Sequence, residues 1–436
     1  MIPPRSAILA GLSGGMDSVV LLHLLHRLAP RFSWRLSASH VHHGISSNAD
    51  AWADFCAGLC AKLDIPLNIE HVDIAPLREH GIEAAARKLR HAAFARQSCD
   101  FVALAHHADD QAETLMLQLL RGSGVRGVAA MPVLSKVEGP VLPGGTHPAT
   151  IRPLLDIPRA TLLEYAREHE LRWVEDESNA DDSYPRNFLR HRALPLLEDR
   201  FPACRVTLAR SARHFAEASE MLDDLARIDA EGAMREDALN VATLRALTPP
   251  RAKNLLRYFL HRQGAAMPQA AQLDDMLRQL CDARQDAVVS IEYGDWQVHR
   301  YQGHAYVSPA LGEFERGLAL PWNGEAELDW PTLGVRLSFG ETMGAGIGAE
   351  KLRRAPVTLR LRNGGETLRP HPNAAKRSLK NLLQENGVPP WRRERLPLVY
   401  CGDDLVCVVG VAVAAEYQAG EGEAAIAVEL VATAGE

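Results

Sequence analysis

A loop of small and hydroxyl residues near the N-terminus has the composition to bind phosphate. It reads Ser13-Gly14-Gly15-Met16-Asp17-Ser18, between an apolar run that ends at Leu12 and a second that starts at Val19. Glycines have no Cβ, so the backbone N–H groups of such a loop can surround an anion at the start of a helix. The spacing matches neither the lysine-containing Walker loop nor the G-x-G-x-x-G fingerprint of dinucleotide sites. We therefore predict a phosphate cradle of another kind, with hydroxyl donors from its two serines.

The order S-G-G-x-D-S resembles the signature of the pyrophosphatase-loop ATPases. Enzymes of that superfamily use ATP to adenylate an oxygen and release pyrophosphate. The resemblance implies that residues 13–18 bind ATP and that Asp17 holds the Mg²⁺ that bridges its phosphates. The alternative is a Ser-Gly turn that only joins a buried strand to a helix.

A second group of polar residues, His106-His107-Ala108-Asp109-Asp110-Gln111-Ala112-Glu113, follows another apolar run. Asp110 and Glu113 are three residues apart, which places them on one face of a predicted helix. Two such carboxylates can bind Mg²⁺, orient an amine nucleophile or accept its proton, and a histidine here can stabilise developing charge. The alternative is a capping box in which Asp110 and Glu113 satisfy the N–H groups of the helix start.

Two further segments are candidates for contact with the nucleotide. The turn Ser39-His40-Val41-His42-His43 ends a predicted strand, where a base, a ribose or the accepting substrate would bind; metal binding and a plain surface turn are the alternatives. On the helix predicted from Ile82, Arg87 can reach a phosphate or pair with Glu83 four residues earlier.

A compact basic run covers residues 184–192 after an acidic stretch. Its Arg186 and Arg190 are four residues apart, so both can contact a phosphodiester backbone from one helix face. The alternative is a helix end held by salt bridges.

The elements that must position these residues alternate in type. Strand-like apolar runs at 7–12, 36–41, 67–72 and 101–105 alternate with amphipathic helical segments at 17–28, 48–63, 82–97 and 110–120. This order predicts an α/β domain with a doubly wound parallel sheet, whose ligand crevice lies at the carboxyl ends of the strands. Residues 135–150 are rich in proline and glycine and are predicted to form a loop.

The rest of the chain predicts two smaller mixed α/β domains. Helical patterns continue to about residue 231 and recur at 249–263 and 269–284, and short strands follow at 288–307. The glycine-rich residues 339–348 are expected to form a linker. We place the catalytic domain at residues 1–215, a middle substrate-binding domain at 216–338 and a C-terminal domain at 350–436.

Composition narrows the class of protein. The chain has 436 residues, of which 47% are hydrophobic, and a formal net charge of −7. It shows neither an apolar run of about 18 residues nor a secretory signal, so we expect a cytoplasmic protein without a membrane span. Its seven cysteines include no C-x-x-C pair, which argues against a disulfide framework or an iron–sulfur site. Residues 351–396 carry twelve lysines and arginines against three acidic residues, and such a basic module favours nucleic acid as partner over a solvated charged face.

Taken together, these motifs resemble those of the tRNA(Ile)-lysidine synthetase family over nearly the whole chain. The resemblance rests on an ordered set of further motifs: His42-His43-Gly44-Ile45, Gly81-Ile82-Glu83, Arg121-Gly122-Ser123-Gly124, Ile151-Arg152-Pro153-Leu154-Leu155, Glu175-Asp176-Glu177-Ser178-Asn179, Lys376-Arg377-Ser378-Leu379-Lys380 and Val388-Pro389-Pro390-Trp391.

The resemblance implies that ATP adenylates the C2 oxygen of the wobble cytidine in a CAU-anticodon tRNA(Ile), and that the ε-amine of free L-lysine then displaces AMP to form lysidine. Asp17 and Asp110 would be the metal ligands, and Asp110, Glu113 and His107 would position the reactants and handle protons. The tRNA would be held by two groups of basic residues: Arg186 and Arg190 near the active site, and Lys376, Arg377, Lys380 and Arg392 in the C-terminal module. Another tRNA-modifying enzyme of the superfamily and a non-catalytic tRNA-binding protein remain as alternatives, and a homodimer is left open.

Overall fold

The computed structural model describes residues 2–44, 46–73, 82–136, 148–235, 237–284, 289–310 and 317–432. Gly81 and Ile45 of the motifs above, the side chain of Glu83 and residues 137–147 of the predicted loop lie outside them. The chain divides into two compact units, Met1–Leu225 and Ala226–Glu436. In the described part of the chain, none of the helices has the length and apolar character needed to cross a membrane.

The first unit is built on a six-stranded sheet in the order β3-β2-β1-β4-β6-β5. All neighbouring strands are parallel except β5, which pairs antiparallel with β6 at the edge. The strands are β1 (Ala7–Gly11), β2 (Arg35–His42), β3 (Leu67–His71), β4 (Phe101–Ala103), β5 (Leu134–Lys136) and β6 (Ala149–Ile151). The predicted doubly wound sheet is confirmed. Because the chain winds from β1 to β2 on one side and β4 lies on the other, the crevice opens at the carboxyl ends of β1 and β4.

Helices cover this sheet, and apolar side chains from both layers form its core. Ile8 and Leu12 pack there with Val20 and Leu22 of the first helix and Leu162 of a later one. The helices are α1 (Met16–Phe32), α2 (Ala49–Leu63), α3 (Ile82–Ala95), α4 (Ala108–Leu120), α5 (Val125–Val128), α6 (Arg159–Glu168), α7 (Pro185–Phe188), α8 (Leu194–Arg200) and α9 (Cys204–Ala230). A 3-10 turn covers Glu177–Ala180, and a single π-helical turn, Leu189–Ala193, joins α7 to α8.

The second unit begins with three helices and an antiparallel sheet in the order β7-β10-β9-β8. The elements are β7 (Ala238–Asn240), α10 (Val241–Ala246), α11 (Pro249–Arg262), α12 (Ala270–Asp282), β8 (Val289–Tyr293), β9 (Trp296–Tyr301) and β10 (His304–Pro309). The chain reverses between the last three strands at Gly294 and Gly303, both with positive φ.

The remaining elements share one apolar core that includes Trp330, Leu359 and Val406. Two sheets face this core, in the orders β11-β15-β18-β19-β20 and β12-β13-β21-β14, and β16 and β17 form a separate pair. The elements are β11 (Ala319–Trp322), β12 (Glu327–Trp330), a 3-10 turn (Pro331–Leu333), β13 (Val335–Met343), β14 (Ile347–Gly348), α13 (Ala349–Leu352), β15 (Val357–Arg360), β16 (Thr367–Leu368), β17 (Arg377–Ser378), α14 (Leu379–Glu385), α15 (Pro390–Arg393), β18 (Leu398–Cys401), β19 (Asp404–Val408), β20 (Ala412–Val413) and β21 (Ala424–Ala432).

The linker predicted at residues 339–348 is wrong. Residues 339–343 belong to β13, which pairs along its whole length with β21, and Phe339 is buried in the core. Gly344 and Gly346 have φ values of +73° and +105° and turn the chain from β13 to β14. A Cβ on Gly346 would lie 2.6 Å from the carbonyl oxygen of Ile426, so glycine is required there by close packing. The domain boundaries at 215, 338 and 350 stay predictions.

Candidate active site

The loop after β1 turns tightly around its two glycines. Gly14 has a φ of +89°, and a Cβ there would lie 2.8 Å from Cγ2 of Val174. Gly15 is the N-cap of α1, and no side chain caps this helix. The hydroxyl of Ser18 donates to the Gly15 carbonyl at 2.9 Å and lies 3.2 Å from Oγ of Ser13. The uncapped helix start and the two hydroxyl groups make a concave turn that fits a phosphate group.

Three residues hold this loop from behind. His40 is buried, and its Nδ1 donates to the carbonyl of Leu12 at 2.9 Å. Cys56 places its Sγ 3.6 Å from the same ring nitrogen, and the backbone N–H of Val174 donates to the Gly14 carbonyl at 3.0 Å. Burial lowers the pKa of His40 and raises the pKa of Cys56 to about 12, so both side chains stay uncharged at neutral pH. His40 therefore supports the loop, and its predicted contact with a nucleotide stays a prediction.

Asp17, in the first turn of α1, lies between two cationic or polar groups. Its Oδ2 is 3.6 Å from Nε2 of His107, and its Oδ1 is 3.8 Å from Nε of Arg159. Oδ1 is buried and accepts no hydrogen bond from any residue in the described part of the chain. A buried carboxylate oxygen without a donor fits the coordination of a cation.

His107 joins Asp17 to the start of α4. It is the N-cap of that helix: its Nδ1 accepts the Asp110 N–H at 3.4 Å, and Oδ2 of Asp110 accepts the His107 N–H at 3.0 Å. The capping box is therefore His107–Asp110, one turn earlier than the Asp110–Glu113 pair considered from sequence, because α4 already begins at Ala108. Burial alone lowers the pKa of His107, but the nearby carboxylates of Asp17 and Asp110 raise it above its ordinary value.

Four charged side chains form a buried network beside this cap. Glu113 has no exposed surface; Arg186 Nε donates to its Oε2 at 2.7 Å, and Arg190 donates to Oε1 at 2.7 Å and to Oε2 at 2.9 Å. Arg186 also donates to Oδ1 of Asp110 at 2.9 Å. Burial raises the pKa of Asp110, but His107 and Arg186 lower it below its ordinary value. The structure thus brings together two predicted acidic residues and two predicted tRNA-binding residues.

The other predicted residues at this end of the sheet line its edge. Arg87 is exposed on α3 and lies near His106, whose pKa burial lowers to about 3. Burial also lowers the pKa of His43 to about 4, so both rings are neutral at physiological pH. In the described part of the chain, no group of three or more His, Cys, Asp or Glu side chains is arranged to hold a metal ion.

Family models match this chain in three places. A PP-loop domain matches residues 3–197, a TilS substrate binding domain matches residues 239–306, and a TilS substrate C-terminal domain matches residues 357–430. The tRNA(Ile)-lysidine synthase of Nitrosomonas europaea is 43% identical over 98% of this chain and 92% of its own length. The synthase of the same name from Azoarcus sp. is 42% identical over 97% of this chain and 91% of its own length.

The chain belongs to the tRNA(Ile)-lysidine synthase family. The family assignment makes it an enzyme that uses ATP through its PP-loop domain, which contains the loop of residues 13–18. Among solved structures, a U34-tRNA thiolase from Methanococcus maripaludis is 22% identical and covers 49% of this chain and 73% of its own with a TM-score of 0.40, which is too low to transfer any property.

The basic residues predicted in the C-terminal module of this family member differ in their surroundings. Lys376 and Lys380 are exposed. Arg377 pairs with Glu385 at 2.5 Å, and Arg392 pairs with Asp237 at 3.1 Å. The two lysines are therefore the more available for a polyanion, and all four assignments stay predictions.

Sequence reasoning missed two residues of this site. Arg159 faces Asp17 from the start of α6, and Val174 packs on Gly14. Neither belongs to a motif that marks phosphate chemistry. Only their place in the chain could have indicated them, because both follow β6, whose carboxyl end lies beside that of β4. The sequence analysis did not predict β6, so this indication was lost.

Proposed function

We propose that this protein ligates free L-lysine to C2 of the wobble cytidine in a CAU-anticodon tRNA(Ile). ATP adenylates the C2 oxygen with release of pyrophosphate, and the ε-amine of lysine then displaces AMP. The modified tRNA would read AUA instead of AUG and carry isoleucine instead of methionine. Support comes from family membership over 98% of the chain and from the phosphate-binding turn, whose Asp17 lies 3.6 Å from His107.

The observation that carries the proposal is the meeting of two catalytic elements at the β1 and β4 ends of the sheet. The turn at the start of α1 fits the outer phosphates of ATP, and the start of α4 presents His107 and Asp110 to the same crevice. A nucleotide bound at the turn would therefore place its α-phosphate beside groups that can orient a second substrate.

Mg²⁺ is part of the proposal, and the residues differ in how well they fit it. Asp17 has a buried oxygen with no hydrogen-bond donor, which suits a cation held jointly by one carboxylate and phosphate oxygens. Asp110 has its Oδ1 engaged by Arg186 and its Oδ2 by the helix cap. We therefore favour Asp17 over Asp110 as the metal ligand. The ion would supply charge neutralisation for the phosphates.

In this scheme, Asp110 and Glu113 act chiefly by orienting the side chains of Arg186 and Arg190. Both oxygens of Glu113 accept hydrogen bonds from arginines, so this carboxylate fixes Arg186 and Arg190 more readily than it accepts a proton. The arginines keep N–H groups near the crevice, where they can contact the tRNA or the lysine carboxylate. The C-terminal basic residues would bind tRNA phosphates away from the chemistry.

The test is incorporation of radiolabelled lysine in the presence of ATP and a panel of tRNA transcripts. We expect label only in the CAU isoleucine tRNA, with AMP and pyrophosphate formed in equal amounts. Asp17→Ala should abolish incorporation while tRNA binding persists, and Asp54→Ala, which removes an exposed acid on α2, is the matched control. Label in no tRNA would favour a non-catalytic tRNA-binding protein, and unchanged incorporation by Asp17→Ala would contradict the assigned metal ligand.

A further inference from the structure

Arg159 is fixed to the active site through its backbone. It is the first residue of α6, and its N–H donates to Oδ1 of Asp109 at 2.9 Å. Just before it, the Ile157 carbonyl accepts the Ala108 N–H at 3.0 Å. These two hydrogen bonds join the start of α6 to the start of α4. The Arg159 side chain therefore emerges beside the crevice from a rigid base.

The guanidinium group of Arg159 is close to Asp17 but forms no hydrogen bond with it. Its Nε lies 3.8 Å from Oδ1 of Asp17, which is beyond hydrogen-bonding distance, and 49% of the side chain is exposed. Within the described residues, this guanidinium donates no hydrogen bond. Arg186 and Arg190, by contrast, are bound in the buried network with Asp110 and Glu113. Arg159 is thus a cation that can leave Asp17 at little cost.

The phosphate-binding turn has no basic side chain of its own to donate hydrogen bonds to the phosphates beside a bound Mg²⁺. Residues 13–18 include no lysine or arginine, although the pyrophosphate that leaves ATP gains negative charge as its bond to the α-phosphorus breaks. Preorganised donors at such a position give large rate effects, and a guanidinium matches two phosphate oxygens at once. Arg159 lies next to the turn, since its Nε is 3.8 Å from Oδ1 of Asp17, which is a residue of that turn.

We propose that Arg159 binds the β- and γ-phosphates of ATP and stabilises the departing pyrophosphate. This inference rests on the proposed function and adds a residue to it. The cytosine oxygen forms a bond to the α-phosphorus, the bond from that phosphorus to the bridging oxygen breaks, and its electron pair stays on pyrophosphate. Arg159 donates hydrogen bonds to that product and transfers no proton. In the absence of nucleotide it lies against Asp17, and the phosphate oxygens replace that carboxylate as its partner.

The experiment compares the full-length protein with Arg159→Gln, Arg159→Lys and Arg213→Gln. Arg213 is the matched control because it is an exposed arginine whose Nη1 lies 3.7 Å from Asp156, away from Asp17. Binding of inorganic pyrophosphate is measured by calorimetry without tRNA or lysine. Adenylation of tRNA is then followed in a single turnover without lysine, and transfer of lysine to purified adenylated tRNA is measured separately.

We expect Arg159→Gln to weaken pyrophosphate binding at least about tenfold and to slow adenylation about 100-fold, the size of effect found for a single lost oxyanion donor. Transfer of lysine should change less than about twofold, because pyrophosphate has already left. Arg159→Lys should recover part of both losses and Arg213→Gln should match the wild type. A purely structural role through Asp109 would slow both chemical steps alike.

Unchanged pyrophosphate affinity in Arg159→Gln and Arg159→Lys would overturn the inference. A slower lysine transfer equal to the adenylation defect would overturn it as well. If the wild-type protein binds pyrophosphate through Arg159 but adenylates no tRNA, the proposed function fails while the assignment of Arg159 stands. Thermal unfolding of each variant identifies any folding defect. If Arg159→Gln does not fold, the inference is tested by comparing the pyrophosphate affinity and the adenylation rate of Arg159→Lys with those of the wild type.

Discussion

Gly14 combines two constraints that other residues cannot meet together. Its φ of +89° lies in the left-handed region, and the space where a Cβ would stand is filled by Val174. The carbonyl of Gly14 is also fixed by the Val174 N–H. Any side chain at this position would therefore push the segment that contains Val174 away from the phosphate-binding turn.

We expect Gly14→Ala to destabilise the protein by about 1–2 kcal/mol from backbone strain alone, and to abolish detectable ATP binding because the turn must open. Denaturant unfolding and equilibrium ATP binding measure the two effects. Gly122→Ala is the control, since Gly122 also has a positive φ, +70°, but no atom lies within 4 Å of its added Cβ. ATP binding by Gly14→Ala at wild-type strength would contradict this account of the turn.

At the residue scale, the sequence predicted which side chains lie together at the crevice better than it predicted their hydrogen-bond partners. Residues 13–18, Asp110 and Glu113 were all assigned to one crevice, and the order of strands explains why. That Arg186 and Arg190 bind Glu113 could not be foreseen, because the pairing joins residues more than 70 positions apart. Isolated residues such as Arg159 carry no local signal.

In the second unit, even the four-residue helix α15 makes specific packing contacts with a sheet. The helix α15 places Trp391 flat against His299 of β9, with ring centroids 4.0 Å apart and planes within 9°. Tyr301 meets the indole edge-on at 6.1 Å, and its hydroxyl accepts from Arg393 at 3.0 Å. The four-residue helix is thereby docked on the sheet β7-β10-β9-β8 by stacking and a hydrogen bond.

Burial lowers the pKa of His299 to about 4. Below pH 6.5 an unfolded chain takes up a proton on this ring that the folded chain does not, so the free energy of unfolding falls as the pH falls towards 4, by about 1 kcal/mol per pH unit. We expect urea unfolding to show a larger loss of stability from pH 7 to pH 5 in the wild type than in His299→Gln. His304→Gln, on β10, should behave like the wild type. Equal losses in wild type and His299→Gln would contradict the assignment.

At the element scale, long periodic segments were predicted well and glycine-rich or very short ones were not. The eight strands and helices expected from residue 7 to residue 120 all form, with ends shifted by a few residues. The strand β6 was missed because two of its three residues fall within the proline- and glycine-rich residues 135–150, which were predicted to form a loop. In residues 339–348 the glycines serve a tight turn between paired strands, and composition does not distinguish such a turn from a flexible linker.

The whole molecule carries its positive charge unevenly along the sequence. Residues 351–396 are strongly basic in a chain of net charge −7, and the exposed Lys376 and Lys380 belong to this stretch. Composition predicted this segment, but the ion pairs that occupy Arg377 and Arg392 depend on folding.

We expect the double variant Lys376→Ala/Lys380→Ala to bind tRNA more weakly and to reduce the slope of log affinity against log salt by up to about 1.8, since each phosphate contact contributes about 0.7–0.9. Filter binding at several salt concentrations measures both quantities. Lys253→Ala is the control, because Lys253 pairs with Asp274 on a neighbouring helix. A double variant with the wild-type slope would show that these lysines do not contact phosphate.

The pairing of β13 with β21 has a consequence for biosynthesis. β21 lies between β13 and β14 in its sheet, so it supplies the middle of a surface whose other strands are translated about 80 residues earlier. While residues 424–432 are still inside the ribosome, Phe339 and Ile347 lack the strand with which their backbone pairs. A nascent chain at that stage lacks the strand that joins β13 to β14, so a premature stop codon just before residue 424 would leave this sheet divided although only the last 13 residues are lost.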